Sequence, residues 1–255
     1  MKTDVLQTPD RLLPGARAGR DPARSIKPGP SRLAPEVVAA TQRDRLLDGL
    51  VHTVADRGYT HATVSDICRA AGVTRPVFYT LFTGKEDAFL AAHRHGTAVV
   101  IRRMAAAFAG APDWCTGLCE ALREMLHLLA AVPAFAVMAV VELDALGPAG
   151  RRVREQLLDR FRVFFADCPP PPAGVPAEQL IDAVVGGVHS MVQRCVDSGR
   201  TAELPDLLPA LSLFCVAPFL GPEEAAARLA VARPSRPTRP KDPSCTLIDP
   251  VSTAQ

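Results

Sequence analysis

The sequence predicts an all-α protein, and three observations carry that prediction. Hydrophobic residues make up 48% of the 255, but aromatics only 5%. The core must therefore be mostly Ala, Val and Leu, which suits closely packed helices better than a β-sandwich. The 24 prolines gather at the two ends and in Pro169–Pro172, leaving long Pro-free stretches between them. Within those stretches apolar residues recur at helical spacing, and no run alternates convincingly as a strand would.

Residues 1–34 read as a disordered arm. Pro9, Pro14, Pro22, Pro28, Pro30 and several glycines break any helix, and apolar periodicity is absent. The arm is basic, with Arg11, Arg17, Arg20, Arg24, Lys27 and Arg32 among few acids. It reads either as a solvated tail or as an arm that touches phosphates or a minor groove.

A first helix is predicted from about Pro35 to Arg57, with proline in its first turn. Leu46, Leu47, Leu50, Val51 and Val54 form its apolar stripe, and Gly58 ends it. Thr63 is an N-cap with Asp66 three residues on, a capping box with Asp in place of Glu. The helix it opens is short, because Gly72 follows about two turns later. Val73 points back to the core and Thr74 is a second N-cap. Arg75-Pro76-Val77-Phe78-Tyr79-Thr80-Leu81-Phe82 make a third helix, with Pro76 in its first turn. Two short helices separated by a turn around a glycine are a helix-turn-helix, and Gly72 supplies the positive φ the turn needs.

Lys85-Glu86-Asp87 opens a fourth helix, predicted to run to about Phe108. Further helices are expected over 113–131, 133–146, 149–167, 176–198 and 204–220, the last completing the body. Gly147-Pro148, the four prolines and Gly174 mark the breaks between them. From Pro234 the chain is again Pro-rich and reads as a disordered tail.

Charge is unevenly spread. Residues 1–103 carry 16 Lys and Arg against 10 Asp and Glu, and the remainder 13 against 17. A basic N-terminal part on an acidic body is what a polyanion-binding module joined to something else would show. The seven cysteines, Cys68, Cys115, Cys119, Cys168, Cys195, Cys215 and Cys245, include no CxxC. Most sit in apolar helical runs, where the thiol behaves as a small hydrophobe, so a reducing cytoplasmic compartment is expected. The N-terminus has no apolar segment of a signal peptide, and no stretch of about 18 apolar residues is free of charge, so no membrane span is expected.

The run from Asp44 through Ala55-Asp-Arg-Gly-Tyr59, Thr63-Val-Ser-Asp-Ile-Cys68, Ala71-Gly-Val-Thr-Arg75, Phe78-Tyr79, Phe82 and Gly84-Lys85-Glu86 resembles the DNA-binding domain of the TetR family of regulators. The resemblance covers roughly residues 36–90 without a gap. Beyond them the likeness is one of architecture. It implies a three-helix helix-turn-helix domain over 35–84, a helical ligand-binding and dimerisation domain over 85–222 and a tail over 233–255.

The resemblance also implies roles. Thr63 would bond a phosphate through its N–H or hydroxyl. Thr74 would touch a phosphate, and Arg75 would read a guanine edge or bind a phosphate. Tyr79 matches a tyrosine that hydrogen-bonds the DNA backbone. Lys85 matches a lysine beside a helix N-terminus that favours phosphate. Val77 and Thr80 are weaker candidates for thymine-methyl contacts. Leu81 stands where the family often has a polar residue, so one phosphate contact is expected to be missing.

For the body the resemblance implies a pocket for a hydrophobic small molecule. Trp114, Met125, His127, Phe135, Met138, Glu142, Phe161 and Phe165 are its candidate lining, with His127 and Glu142 as orienting groups. The last two helices, rich in small and apolar residues, would pair with their copies in a homodimer. Two recognition helices would then meet double-stranded palindromic operator DNA. The function expected is that of a ligand-responsive repressor; an activator, a ligand-independent regulator and a non-specific architectural DNA binder are the alternatives. No enzyme is expected. His93 and His95 stand at i,i+2 and face different sides of a helix, and neither a nucleophile motif nor a glycine-rich phosphate loop occurs. No cofactor or metal is implied.

Overall fold

The computed structural model describes residues 12–24 and 34–231. Residues 1–11, 25–33 and the Pro-rich tail expected over 233–255 lie outside the described residues. Ten α-helices follow in order among the described residues: α1 (Pro35–Arg57), α2 (Val64–Ala71), α3 (Arg75–Leu81), α4 (Lys85–Ala109), α5 (Trp114–Ala131), α6 (Pro133–Ala136), α7 (Pro148–Phe161), α8 (Ala177–Asp197), α9 (Leu208–Leu220) and α10 (Pro222–Val231).

The first three helices form as their sequence signals require. The stripe Leu46, Leu50, Val51 and Val54 is buried against α2, α3 and α4. Thr63 accepts from Asp66 N while the Asp66 carboxylate accepts from Thr63 N, so the capping box is complete. Gly72 takes φ 61° and ψ 38°, the left-handed conformation that lets α2 stop and the chain turn sharply into α3. Phe78 and Phe82 point inward and lock α3 to the core.

The body departs from expectation in four places. The helix expected over 133–146 is not uniform: four α-helical residues lead into a π-helical turn, Val137–Val141, and then a 3-10 turn, Glu142–Leu146. α7 likewise ends in a 3-10 turn, Arg162–Phe165, and a 3-10 turn, Thr201–Leu207, precedes α9. α10 was not expected at all. Its signals are nonetheless present: Pro222 in the first turn, Glu223 and Glu224 beside the helix N-terminus, and Arg228 paired with Glu224 at 2.8 Å one turn on. It covers α9 through the fully buried Ala225.

The largest difference lies in the arm. Residues 12–24, read from composition as disordered, are folded as a strap across α1. Leu13 is only 4% exposed. Gly15 N donates to Asp48 Oδ1 at 2.7 Å, and Arg24 Nη1 lies 2.7 Å from Asp48 Oδ2 as an ion pair. His52 and His95 donate to the carbonyls of Arg17 and Leu12, and Arg45 donates to those of Gly19 and Gly72. Side chains at Gly15 and Gly19 would overlap Val51 and the Ala70 carbonyl, so the strap fits because both are glycine.

Among the described residues, Thr201–Leu220 is the one helical stretch long and apolar enough to cross a membrane, with a mean hydropathy of 1.4. It contains Glu203 and Asp206, packs on α5, α8 and α10, and buries a third of its apolar window.

Candidate nucleic-acid interface and effector cavity

The helix-turn-helix presents a small polar tip. Thr74, at the N-cap of α3, makes no side-chain cap bond and is exposed, as are Arg75, Tyr79 and Thr80. Tyr79 is 51% exposed although its ring meets Phe78 edge-on, so its hydroxyl end is wet. Thr80 Oγ1 donates to Val77 O at 2.7 Å, and Val77 itself is half-buried. Leu81 packs against the core, which explains why a polar residue is not needed there.

Two expected contacts are already engaged. The Thr63 hydroxyl donates to Asp66 Oδ2 at 2.6 Å, and its N–H reaches the same oxygen at 3.3 Å. These bonds hold the Asp66 carboxyl below the usual carboxylate range, the Thr63 hydroxyl contributing most. Lys85 is half-buried and turned toward the loop before α2. Its Nζ donates to Tyr59 O at 2.6 Å and Ala62 O at 2.9 Å and sits 4.2 Å from the Tyr59 ring centre. Burial lowers its pKa. The lysine thus braces the loop that leads into the helix-turn-helix, a role the sequence alone did not signal.

A cavity of about 90 Å³ lies in the body between α4, α5, α7, α8 and α9. Four of the expected residues line it: Met125, Phe135, Phe161 and Phe165. The other four do not. Trp114 Nε1 donates to Phe164 O at 2.8 Å, and its ring packs on Phe165 and Phe219. His127 is exposed on the outer side of α5. Met138 is fully buried away from the cavity. Glu142 faces the N-terminal domain and accepts from Tyr59 N at 2.7 Å. Each was placed by residue type, and the face a helix turns to its neighbours is set by packing that type does not report. Two polar residues in the wall were missed, Thr97 and His189. Thr97 Oγ1 already donates to His93 O at 2.7 Å. Burial lowers the His189 pKa, with Arg154 adding to the effect, so the ring favours its neutral form. The Cys215 thiol also lines the cavity, and burial pushes it up to about 12, so it stays protonated. Among the described residues, no Asp, Glu, Lys or Arg lines the cavity.

A short helix with an exposed polar N-terminal tip, set by a tight turn on a buried partner, defines a helix-turn-helix joined to a helical body. The family follows from the same residues: 46–92 match the model for bacterial regulatory proteins of the tetR family. That match identifies the chain's N-terminal domain as the DNA-binding helix-turn-helix of a TetR-family transcriptional regulator. No curated protein matches the chain. Among solved structures, the fatty acid degradation regulator FadR of Bacillus halodurans is similar at TM-score 0.60 and 18% identity, covering 73% of this chain and 97% of that one. FadR of Bacillus subtilis in complex with stearoyl-CoA is similar at 0.59 and 19%, covering 68% and 96%. A TetR-like transcriptional regulator from Rhodococcus sp. is similar at 0.51 and 18%, covering 71% and 96%. At these identities the likeness establishes the shared fold, body included.

Proposed function

We propose that the protein is an effector-responsive repressor: a homodimer that binds a palindromic operator through α3 and releases it when an apolar molecule fills the body cavity. The observation that carries this reading is the pairing, in one chain, of an exposed polar tip on α3 with an apolar cavity that no Asp, Glu, Lys or Arg among the described residues lines. A wall of that kind favours a hydrophobic molecule or the hydrocarbon part of a larger one, because an ion brought there loses its water without gaining a partner. The stearoyl-CoA held by the B. subtilis neighbour makes long acyl chains the first effectors to test.

In this reading Thr74 and Tyr79 bond phosphates, and Arg75 reads a guanine edge or a phosphate. Val77 and Thr80 offer methyl groups to thymine. Thr63 contributes through the N-terminus of α2, and Lys85 holds the loop beneath. The dimer forms through α8 and α9. Leu213 and Phe214 on α9 are 40% and 41% exposed, and nothing lies within 4 Å of a side chain placed at Gly186 on α8. A two-fold copy would cover this face and set two α3 helices one DNA turn apart. Residues 35–84 act as the DNA-binding domain and 85–222 as the effector and dimerisation domain, working in the cytoplasm where chromosomal DNA lies.

Binding to the DNA upstream of its own gene, measured against a scrambled duplex at moderate salt, tests the claim. Equal affinity for the two would sink the specific-repressor reading. Thermal-shift screening of acyl-CoAs and apolar drugs, paired with operator release, tests the effector class.

A further inference from the structure

The π-helical turn Val137–Val141 touches both ends of the molecule's proposed task. On one side, Ala139 and Val140 line the cavity, as does Phe135 just before them. On the other, the turn and α6 pack against α1. The turn closes on Glu142, whose N–H donates to Val137 O, the i to i+5 bond that gives the wide winding. The Glu142 carboxylate then reaches out of the body. Its Oε2 accepts from Tyr59 N at 2.7 Å, across 83 residues of sequence, and the group lies in the space a side chain at Gly58 would approach.

Tyr59 begins a short loop that is held at three points. Glu142 takes its N–H, Lys85 Nζ donates to the carbonyls of Tyr59 and Ala62, and Ala62 N donates to Gly58 O at 3.1 Å. The next residue is Thr63, the N-cap of α2. A second link runs from the same turn to α4, where the His93 ring interacts with the backbone of Ala139.

We propose that the Val137–Val141 turn is a hinge between cavity and helix-turn-helix, and that Glu142 is the positioning residue through which cavity filling moves the loop over 58–62. This rests on the reading that the cavity takes an effector and α3 binds DNA. A π turn holds one residue more than an α turn. Returning to α winding re-aims every residue after it, and π turns recur at functional sites for that reason. A molecule pressing on Ala139 and Val140 displaces the wall two residues before Glu142, so the carboxylate leaves Tyr59 and the entry to α2 loosens. The hinge supplies the differential contact an effector needs in order to shift an equilibrium.

Filling the cavity by substitution tests the hinge without knowing the ligand. In full-length protein, Val188→Phe, with Val188→Leu as the milder filling, should raise amide hydrogen exchange at Tyr59 about tenfold and weaken operator binding by about fivefold or more. Glu142→Ala should do both unaided, and adding Val188→Phe to it should change neither further. Glu142→Gln, whose amide oxygen still accepts from Tyr59 N, should behave as wild type. Unchanged Tyr59 exchange in both folded Val188 variants, or additive effects of Val188→Phe and Glu142→Ala on exchange, would overturn the hinge. Exchange is read without DNA, so a failure of operator selectivity counts against the proposed repressor alone.

Discussion

At the scale of single residues, burial decides what the charged and polar groups do. His93 is 2% exposed and its Nε2 has no partner. Burial is the main cause that pushes its pKa from 6.5 down to about 4; Arg160 and Arg94 add to it, and the ring's interaction with the Ala139 backbone opposes it. The unfolded chain therefore takes up a proton at this ring below pH 6.5, while the folded chain does so only near pH 4. Folding stability should fall as pH drops from about 6.5 to about 4 and level off below, by about 3 kcal/mol in all. Denaturant midpoints between pH 7.5 and 4.5 check this: His93→Met should flatten the slope, and an unchanged slope in that variant would refute the assignment. Arg75 is the opposite case, an exposed cation that the proposed function places against DNA. Arg75→Ala should leave thermal stability within about 0.5 kcal/mol. It should also weaken operator binding by about 1–3 kcal/mol if it reads a base. If it meets only a phosphate, the loss will be similar on operator and scrambled DNA, and the salt slope will drop by about one charge.

At the scale of elements, local signals were legible and long-range docking was not. Thr63, Gly72, Thr74 and Pro76 fix the helix-turn-helix within a stretch of 14 residues, because caps, turns and first-turn prolines act between near neighbours. The strap over 12–24 has the composition of a disordered arm, and its order comes from single fits that carry no period: Leu13 into the core, Gly15 over Val51, Gly19 over Ala70. The π turn was equally hidden, since Val137–Val141 is an apolar run that suits an ordinary helix. Only half of the residues expected in the cavity wall line it, for a related reason: residue type selects the aromatic and sulfur side chains, and only packing selects the face. The strap makes a sharp prediction. Asp48 and Arg24 are 5% and 11% exposed as a pair, and Asp48 also accepts from Gly15 N. Asp48→Ala leaves the buried Gly15 N–H without its acceptor and removes the closer of the two carboxylates at Arg24, Asp21 remaining at 3.4 Å, which should cost about 2–3 kcal/mol. Deleting residues 1–24 should lower the melting temperature by several degrees. A solvated tail could be removed with no change, so an unaltered melting curve would rule out the strap as part of the folded domain.

At the scale of the whole molecule, the apolar face of α9 is where the proposed dimer is to be tested. Thr201–Leu220 has the hydropathy of a membrane span yet buries only a third of its apolar window within one chain, and the proposed dimer would cover part of the rest. Leu213 and Phe214 supply its exposed centre, and Phe214 lies over Gly187 of α8, where a side chain would strike its ring. Two copies meeting about a two-fold axis bring the same residues together from both sides, so one charge placed there appears twice in the interface. Phe214→Glu should therefore separate the copies while sparing the fold, because the position is exposed in the monomer. Light scattering should show the mass halving from dimer to monomer, with the far-ultraviolet helical signal unchanged. Operator affinity should fall by more than tenfold, since a single α3 reads half a palindrome and the second contact is no longer held at high local concentration. Binding to a half-site fragment should change far less. A Phe214→Glu protein that stays dimeric would place the interface elsewhere. One that becomes monomeric and keeps full operator affinity would instead break the link between pairing and DNA reading.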